Sequence, residues 1–205
     1  FGSLSLTDSP ARETTIFALE EAKKANCIIS YDPNYRPLLW KSKEQAKEQM
    51  RAVLPYVNII KLSDEETELV TGHADPQAAA KHLIDTGIKI AAVTLGKDGV
   101  LIATKDGCDT VPGFPVDAID TTGAGDAFWG AFLFSVGELG SVGGFGGIGE
   151  LDEEFGEINL SKVREIARFA NAAAALCVTK RGAIPAMPQL NDIVKLAVEI
   201  NKSEI

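Results

Sequence analysis

The chain has 205 residues and is poor in several things, each of which closes off a class of function. It has no apolar run near the ~20 residues that a membrane-spanning helix needs, so none is expected. Positive charge is short: 20 Lys and Arg stand against 29 Asp and Glu, a formal net charge of -9, with no basic block. That balance disfavours nonspecific binding to nucleic acid or to an anionic membrane surface. Cysteine is limited to Cys27, Cys108 and Cys177, scattered and odd in number, with neither metal spacing nor a disulfide framework. A reducing, cytoplasmic setting is the expectation, with Cys27 and Cys177 as small core residues in apolar surroundings. No GxxxxGK[ST] occurs, so a nucleotide site would have to be built without a P-loop. An initiator methionine is also missing. The chain opens inside Phe1-Gly2-Ser3-Leu4-Ser5-Leu6, which reads as a strand entered midway and predicts a preceding N-terminal part.

What is present suits a soluble globular domain: 45% hydrophobic and 24% charged residues, with chain enough for one sizeable core. Periodicity predicts helices over 10–25, 43–54, 63–71 and 76–86, and strands over 27–31, 57–61 and 90–94. In the first helix Ala11, Ala18, Ala22 and Ala25 share a face, and Asp8 or Ser9 is placed to cap it. Strands alternating with helices at this spacing argue for βαβ units and a parallel sheet covered on both faces. Residues 100–104 and 109–111 read as a hairpin turning at Asp106-Gly107. Residues 127–136, apolar nearly all round, predict a buried helix, and helices over 160–178 and 190–200 follow. The Gly- and Glu-rich stretch over 137–156 reads as a surface insertion. Its Gly144-Phe145-Gly146-Gly147-Ile148-Gly149 has the form GxGxxG, yet no strand precedes it and Glu150, Asp152, Glu153 and Glu154 follow. That context argues against a dinucleotide fingerprint and an oxidoreductase.

The strongest chemical signal is Asp120-Thr121-Thr122-Gly123-Ala124-Gly125-Asp126-Ala127-Phe128. Small residues and glycines introduce a helix and put a carboxylate in its first turn. Gly123 and Gly125 let the backbone approach a bulky anion. The free N–H groups of a helix start carry partial positive charge, suited to the oxygens of a migrating phosphoryl group. Asp126 is placed to accept a hydroxyl proton at the same point and needs only to be ionised and oriented.

This string resembles the second signature of the ribokinase-like (PfkB) family of carbohydrate kinases. Other segments agree in order: Asp32-Pro33-Asn34-Tyr35-Arg36-Pro37-Leu38-Leu39-Trp40 is similar to the family's D-x-N-x-R, and Ser63-Asp64-Glu65-Glu66 stands at its N-x-x-E. Thr94-Leu95-Gly96-Lys97-Asp98-Gly99 matches T-L-G-x-x-G, and Asn171 with Thr179-Lys180-Arg181-Gly182-Ala183 matches the closing segment.

The resemblance implies a three-layer α/β/α fold with a mainly parallel sheet. Residues 1–205 would be the C-terminal two-thirds of one kinase domain, without its N-terminal part and β lid. It implies transfer of the γ-phosphoryl of ATP to a sugar hydroxyl. Asp126 would be the base, and the amides of Gly123, Ala124 and Gly125 the anion hole. Ser63, Thr94, Gly96, Gly99, Asn171 and Gly182 would bind ATP, and Arg36 would meet phosphate or substrate oxygens or pair with Asp32. Glu66 would organise Mg²⁺, through water. A K⁺ site would use the Asp120 side chain and the carbonyls of Thr122, Cys177, Lys180 and Gly182, with Ala186 offering no oxygen. Asp-Pro-Asn-x-Arg-x-x-Leu-Trp and Phe128-Trp129-Gly130-Ala131-Phe132 resemble the fructokinase branch and imply fructose, phosphorylated at its 6-hydroxyl. A 2-keto-3-deoxygluconate kinase or a ribokinase-type kinase is the alternative, and a nucleotide- or sugar-binding protein without chemistry the different class. Partners would be small molecules, with homodimerisation through the lid common among relatives.

Overall fold

A computed structural model of the chain describes residues 1–140 and 159–199. Of the predicted insertion over 137–156, residues 141–156, with the GxGxxG, lie outside the described residues. Within them the chain divides into two compact units. The first holds Phe1–Thr94, Leu101–Cys108 and residues 159–160; the second holds Leu95–Val100 and residues 109–140 and 161–199.

The strands are β1 (Ser30–Tyr31), β2 (Ile59–Ser63), β3 (Ile90–Thr94), β4 (Val100–Thr104) and β5 (Gly107–Val111). They form one sheet in the order β1-β2-β3-β4-β5. The pairs β1–β2 and β2–β3 are parallel, with Ile59 beside Ile90 and Ser63 beside Thr94. Ile59, Ile60, Leu62, Ile90, Ala91, Ala92 and Val93 are all buried, the near-continuous apolar pattern of a strand covered on both faces. The β4–β5 turn falls at Lys105-Asp106, one residue before the predicted place, with Gly107 at φ +135° opening β5.

Two further predictions need correction in the first unit. Residues 27–31 yield only the two-residue β1, and Cys27 is exposed rather than in the core. The Asn58 side chain takes the Ile29 N–H at 2.8 Å, while Asn58 N and Ile59 N donate to Ile29 O, so the Asn58 side chain closes the pairing ahead of β1. The opening segment is extended only at its start. Asp32 N donates to Phe1 O and Ser3 N to Pro33 O, both at 3.0 Å, and Ser3–Leu6 then coils into a 3₁₀ turn.

Helix α1 (Ala11–Lys24) buries Leu19, not the predicted alanine face. Ala11, Ala18 and Ala25 are exposed, because a leucine offers far more apolar area than alanines and decides which face packs. Helix α2 (Lys43–Ala52) is capped by Ser42, whose Oγ accepts from Gln45 N at 3.0 Å. Residues 63–71 split into a 3₁₀ turn (Asp64–Glu66) and α3 (Thr67–Thr71), which stops at Gly72, φ +89°. Helix α4 (Pro76–Asp85) follows, capped by Asp75.

In the second unit, α5 (Ala124–Gly140) starts three residues before the predicted 127, and its end takes in residues 137–140 of the expected loop. It buries Ala127, Phe128, Trp129, Phe132 and Val136 but leaves Phe134 exposed, so it is one-sided rather than buried all round. Helices α6 (Leu160–Val178) and α7 (Leu190–Glu199) complete the unit. Its core joins Phe114, Ala172, Ala173, Ala175 and Ile193, packed against Phe169, Leu176 and Leu196. Among the described residues no helix is long and apolar enough to cross a membrane.

Candidate active site

The predicted residues fall into two sets, one in each unit. In the second unit the 120–126 turn leads into α5 with its surface open. Gly123 takes φ +83°, a left-handed conformation that suits glycine. Ala124 N donates to Thr121 O at 3.2 Å and Ala127 N to Gly123 O at 2.8 Å. The amides of Gly123, Gly125 and Asp126 have no backbone partner among the described residues. Of the three amides predicted as an anion hole, Ala124's therefore has an intrachain acceptor, and the two glycines' do not. Asp126 is exposed on the first turn of α5.

Asp120 ties the turn to the segment after α6. Its Oδ1 accepts from Thr122 N and its Oδ2 from Gly182 N, both at 2.9 Å. The Gly182 and Thr122 hydrogen bonds pull its carboxyl down to about 2. Ile119 N and Asp120 N both donate to Val178 O. The buried Cys177 points its sulfur at Thr122 O at 3.8 Å, and burial followed by Asp120 and Asp126 pushes its thiol up. Lys180 N donates to Cys177 O at 3.2 Å. The residues predicted around a cation are thus gathered by these bonds, while Ala186 packs with Ala127 and Cys177.

A cavity of about 780 Å³ lies beside this turn, within the range of small-molecule sites. Gly96, Gly99, Phe114, Thr121, Ala124 and Asn171 are among its lining. Gly99 sits at φ +100°, and a Cβ there would lie 2.1 Å from Val111 O and 2.5 Å from Gly113 N, so only glycine allows the backbones to close up. Asn171, 6% exposed, donates from Nδ2 to Val111 O at 3.1 Å and Pro112 O at 3.0 Å. Its amide nitrogen holds the cavity wall, leaving its oxygen as the group able to accept.

The first unit holds the other set. Ser63 and Thr94 are register partners, and Thr94 Oγ1 donates to Leu62 O at 3.3 Å. Glu66 is buried, with Oε1 accepting from Tyr35 N at 2.7 Å and Oε2 from Ser63 N at 2.8 Å. Each oxygen keeps further acceptor capacity. Arg36 is exposed on its loop and donates to Tyr35 O at 3.1 Å. The pairing weighed for it with Asp32 is made by Lys61 instead, Nζ to Oδ2 at 2.7 Å, with both side chains almost buried. Burial nonetheless raises the Asp32 carboxyl, against the pull of Lys61, and its buried Oδ1 has no hydrogen-bond partner among the described residues. Among the described residues no group of three or more His, Cys, Asp or Glu is placed to hold a metal ion.

Lys61 was not singled out from sequence. The one available signal is a charged residue inside the run Ile59-Ile60-Lys61-Leu62, where a buried strand tolerates it only with a partner. Gly113 and Phe114 in the cavity wall carried no motif at all.

The pfkB family carbohydrate kinase profile matches residues 2–190. Probable fructokinase-5 of Arabidopsis thaliana is 41% identical over 197 residues, covering 96% of this chain and 56% of that protein. Fructokinase-2 of Zea mays is 39% identical over 202 residues, covering 98% of this chain and 56% of that protein. This chain thus spans about half the length of the curated relatives it matches. In fold it is similar to the fructokinase of Vibrio cholerae O395 in its fructose-, ADP- and calcium-bound form. There the TM-score is 0.80 and the identity 27%, over 96% of this chain and 59% of that one. The three-layer α/β fold predicted above is the fold shared with that structure, and the sequence matches establish descent: the chain belongs to the pfkB family of carbohydrate kinases.

Proposed function

We propose that this chain carries the nucleotide-binding and phosphoryl-transfer part of an ATP-dependent sugar kinase, with fructose as the acceptor and its 6-hydroxyl as the nucleophile. The observation that carries the reading is the open 120–126 turn. Unpartnered glycine amides stand at the start of α5, with the exposed Asp126 beside them and a 780 Å³ cavity adjoining. The cavity, lined by the glycine backbone at Gly96 and Gly99 together with Phe114 and Asn171, takes the nucleotide. The amides of Gly123 and Gly125 stabilise charge on the migrating phosphoryl group. Asp126 takes the hydroxyl proton as the new P–O bond forms and the bond to ADP breaks. The fructokinase relatives, and the fructose and ADP held by the Vibrio cholerae structure, support the choice of sugar and nucleotide.

Mg²⁺ would sit with the phosphates. Glu66 fits the water-mediated role expected of it: its oxygens are fixed by amides yet retain acceptor sites, and among the described residues no cluster of acids competes to make a dry cage. When bound, the ion supplies charge neutralisation at the phosphates. The set of Asp120, ionised at neutral pH, with the carbonyls of Thr122, Cys177, Lys180 and Gly182 is a hard-oxygen donor set that suits K⁺. Ser63, Thr94 and Gly182 are further candidates to bind ATP, and Arg36 to meet phosphate or substrate oxygens.

The test is ADP release by the full-length polypeptide carrying this sequence, given ATP, Mg²⁺ and fructose, ribose or 2-keto-3-deoxygluconate. Turnover with fructose above the others is expected. Turnover with 2-keto-3-deoxygluconate alone would move the chain to that branch, and nucleotide binding without turnover on any sugar would favour a binding protein.

A further inference from the structure

The turn that receives the phosphate end in the proposed reading is not fixed by its own sequence. Gly123 and Gly125 have the widest backbone freedom of any residues, so an ordered arrangement of their amides needs outside support. Part of that support is polar, the Asp120 carboxylate bridging Thr122 N and Gly182 N. The rest is apolar. A Cβ built on Gly123 would lie 3.0 Å from Ala183 Cα and Cβ and 3.3 Å from Met187 Cε, so these groups press directly on the glycine. Cys177, fully buried, reaches Thr122 O with its sulfur at 3.8 Å and packs with Ala127, Ala186 and Met187. Thr121 and Ala124 line the cavity, whereas Cys177, Ala183 and Met187 do not. The turn therefore has the cavity beside it and a small apolar backing behind Gly123.

We propose that Met187 and Cys177 are positioning residues of this turn. Met187 blocks the alternative conformations open to Gly123, and the Cys177 thiol holds the Thr122 carbonyl. The free amides are thereby set in place before an anion arrives. The inference rests on the reading of the turn as the phosphate-binding element and adds how it is kept ready. Preorganised donors gain affinity because nothing has to be ordered on binding. Loosening the backing would then weaken ligands that use the amides and spare ligands that use the cavity alone.

Calorimetry on the full-length polypeptide carrying this sequence, with a non-hydrolysable ATP analogue and with adenosine, separates the two cases. Met187→Ala is expected to weaken the triphosphate about tenfold more than adenosine. Met187→Leu, which keeps volume, should restore wild-type binding. Cys177→Ala should give a smaller loss in the same sense. Equal losses for both ligands would reduce Met187 and Cys177 to ordinary packing and overturn the proposal, as would wild-type affinities for both. Should circular dichroism show Met187→Ala unfolded, Ala183→Gly removes a methyl from Gly123 without emptying the core. The same selective loss is expected of it, and its absence overturns the proposal. Wild-type chain that binds neither ligand would instead sink the nucleotide reading itself.

Discussion

The two units solve the problem of placing charge in opposite ways. In the first, side chains do it: Asp32 and Lys61 neutralise each other inside the sheet, and Glu66 is held by the amides of Tyr35 and Ser63. In the second, main chain does it: the Gly123 and Gly125 amides are left open, and the nearest acid, Asp126, is exposed. A buried pair is costly to break and contributes rigidity. An open turn is cheap to alter in stability and expensive to alter in chemistry. The contrast predicts that breaking the Asp32–Lys61 pair registers mainly as unfolding and that altering Asp126 registers mainly as lost turnover.

The largest effect should come from Asp126→Asn, a fall in ADP release of about 10³-fold with nucleotide affinity and melting temperature unchanged. Undiminished turnover would remove Asp126 from the reaction. In the first unit, Lys61→Met strands the Asp32 carboxylate in the sheet and should cost about 3–5 kcal/mol in urea unfolding at neutral pH. The sign with pH is fixed by burial. A carboxyl whose folded-state value is raised holds its proton to higher pH in the folded protein than in the unfolded one, so its contribution worsens as pH rises through that window. The Lys61→Met deficit should shrink toward pH ~4, where the carboxyl is protonated. Asp32→Leu added to it should recover most of the loss.

The glycines sharpen the contrast within the second unit. Gly99→Ala drives a methyl into Val111 O and should abolish nucleotide binding and lower the melting temperature. Gly96→Ala meets nothing within 4 Å and bears only the strain of φ +58°, about 1–2 kcal/mol. Equal effects of the two would deny the close backbone approach at Gly99. The smallest effect concerns Asp120. Its carboxyl is depressed to about 2, so its stabilising bonds persist above the ordinary carboxylate range and fade as pH falls from ~4 toward 2. Asp120→Asn should flatten the stability profile across that interval, lowering stability at pH 7, where the carboxylate's bonds are fully formed, and converging with wild type toward pH ~2, as followed by circular dichroism.

Much of the second unit's site was legible because its chemistry is written in contiguous residues. A run such as 120–128 carries its glycines and its acid side by side, although what holds the turn in order, Gly182, Ala183 and Met187, lies far along the chain, and Gly96 and Gly99 announce a backbone that needs positive φ. Strand β3 was predicted to the residue, since Ile90–Thr94 is apolar and bounded by turn residues. The first unit was less legible because its polar partners are distant in sequence. Nothing local tells Arg36 from Lys61 as the partner of Asp32; the parallel register that sets β1 beside β2 decides it. The alanine face of α1 misled for a related reason, because what a helix buries depends on the surface it meets. Asn171, singled out from sequence, lines the cavity, but its use of both carbonyls at 111 and 112 depends on tertiary packing.

The crossing at Gly99 has a further consequence. The atoms packed around it are the Val111 carbonyl, the Pro112 carbon and the Gly113 nitrogen, groups every residue shares, and Gly113 in turn meets Lys97 O. Point mutation can therefore neither recolour nor recharge that part of the wall; it can only push it out of place. Any change in ligand preference has to be written at positions that present side chains, such as Val116, Asp117 and Ala118 along the same cavity, with the glycine crossing as the fixed frame.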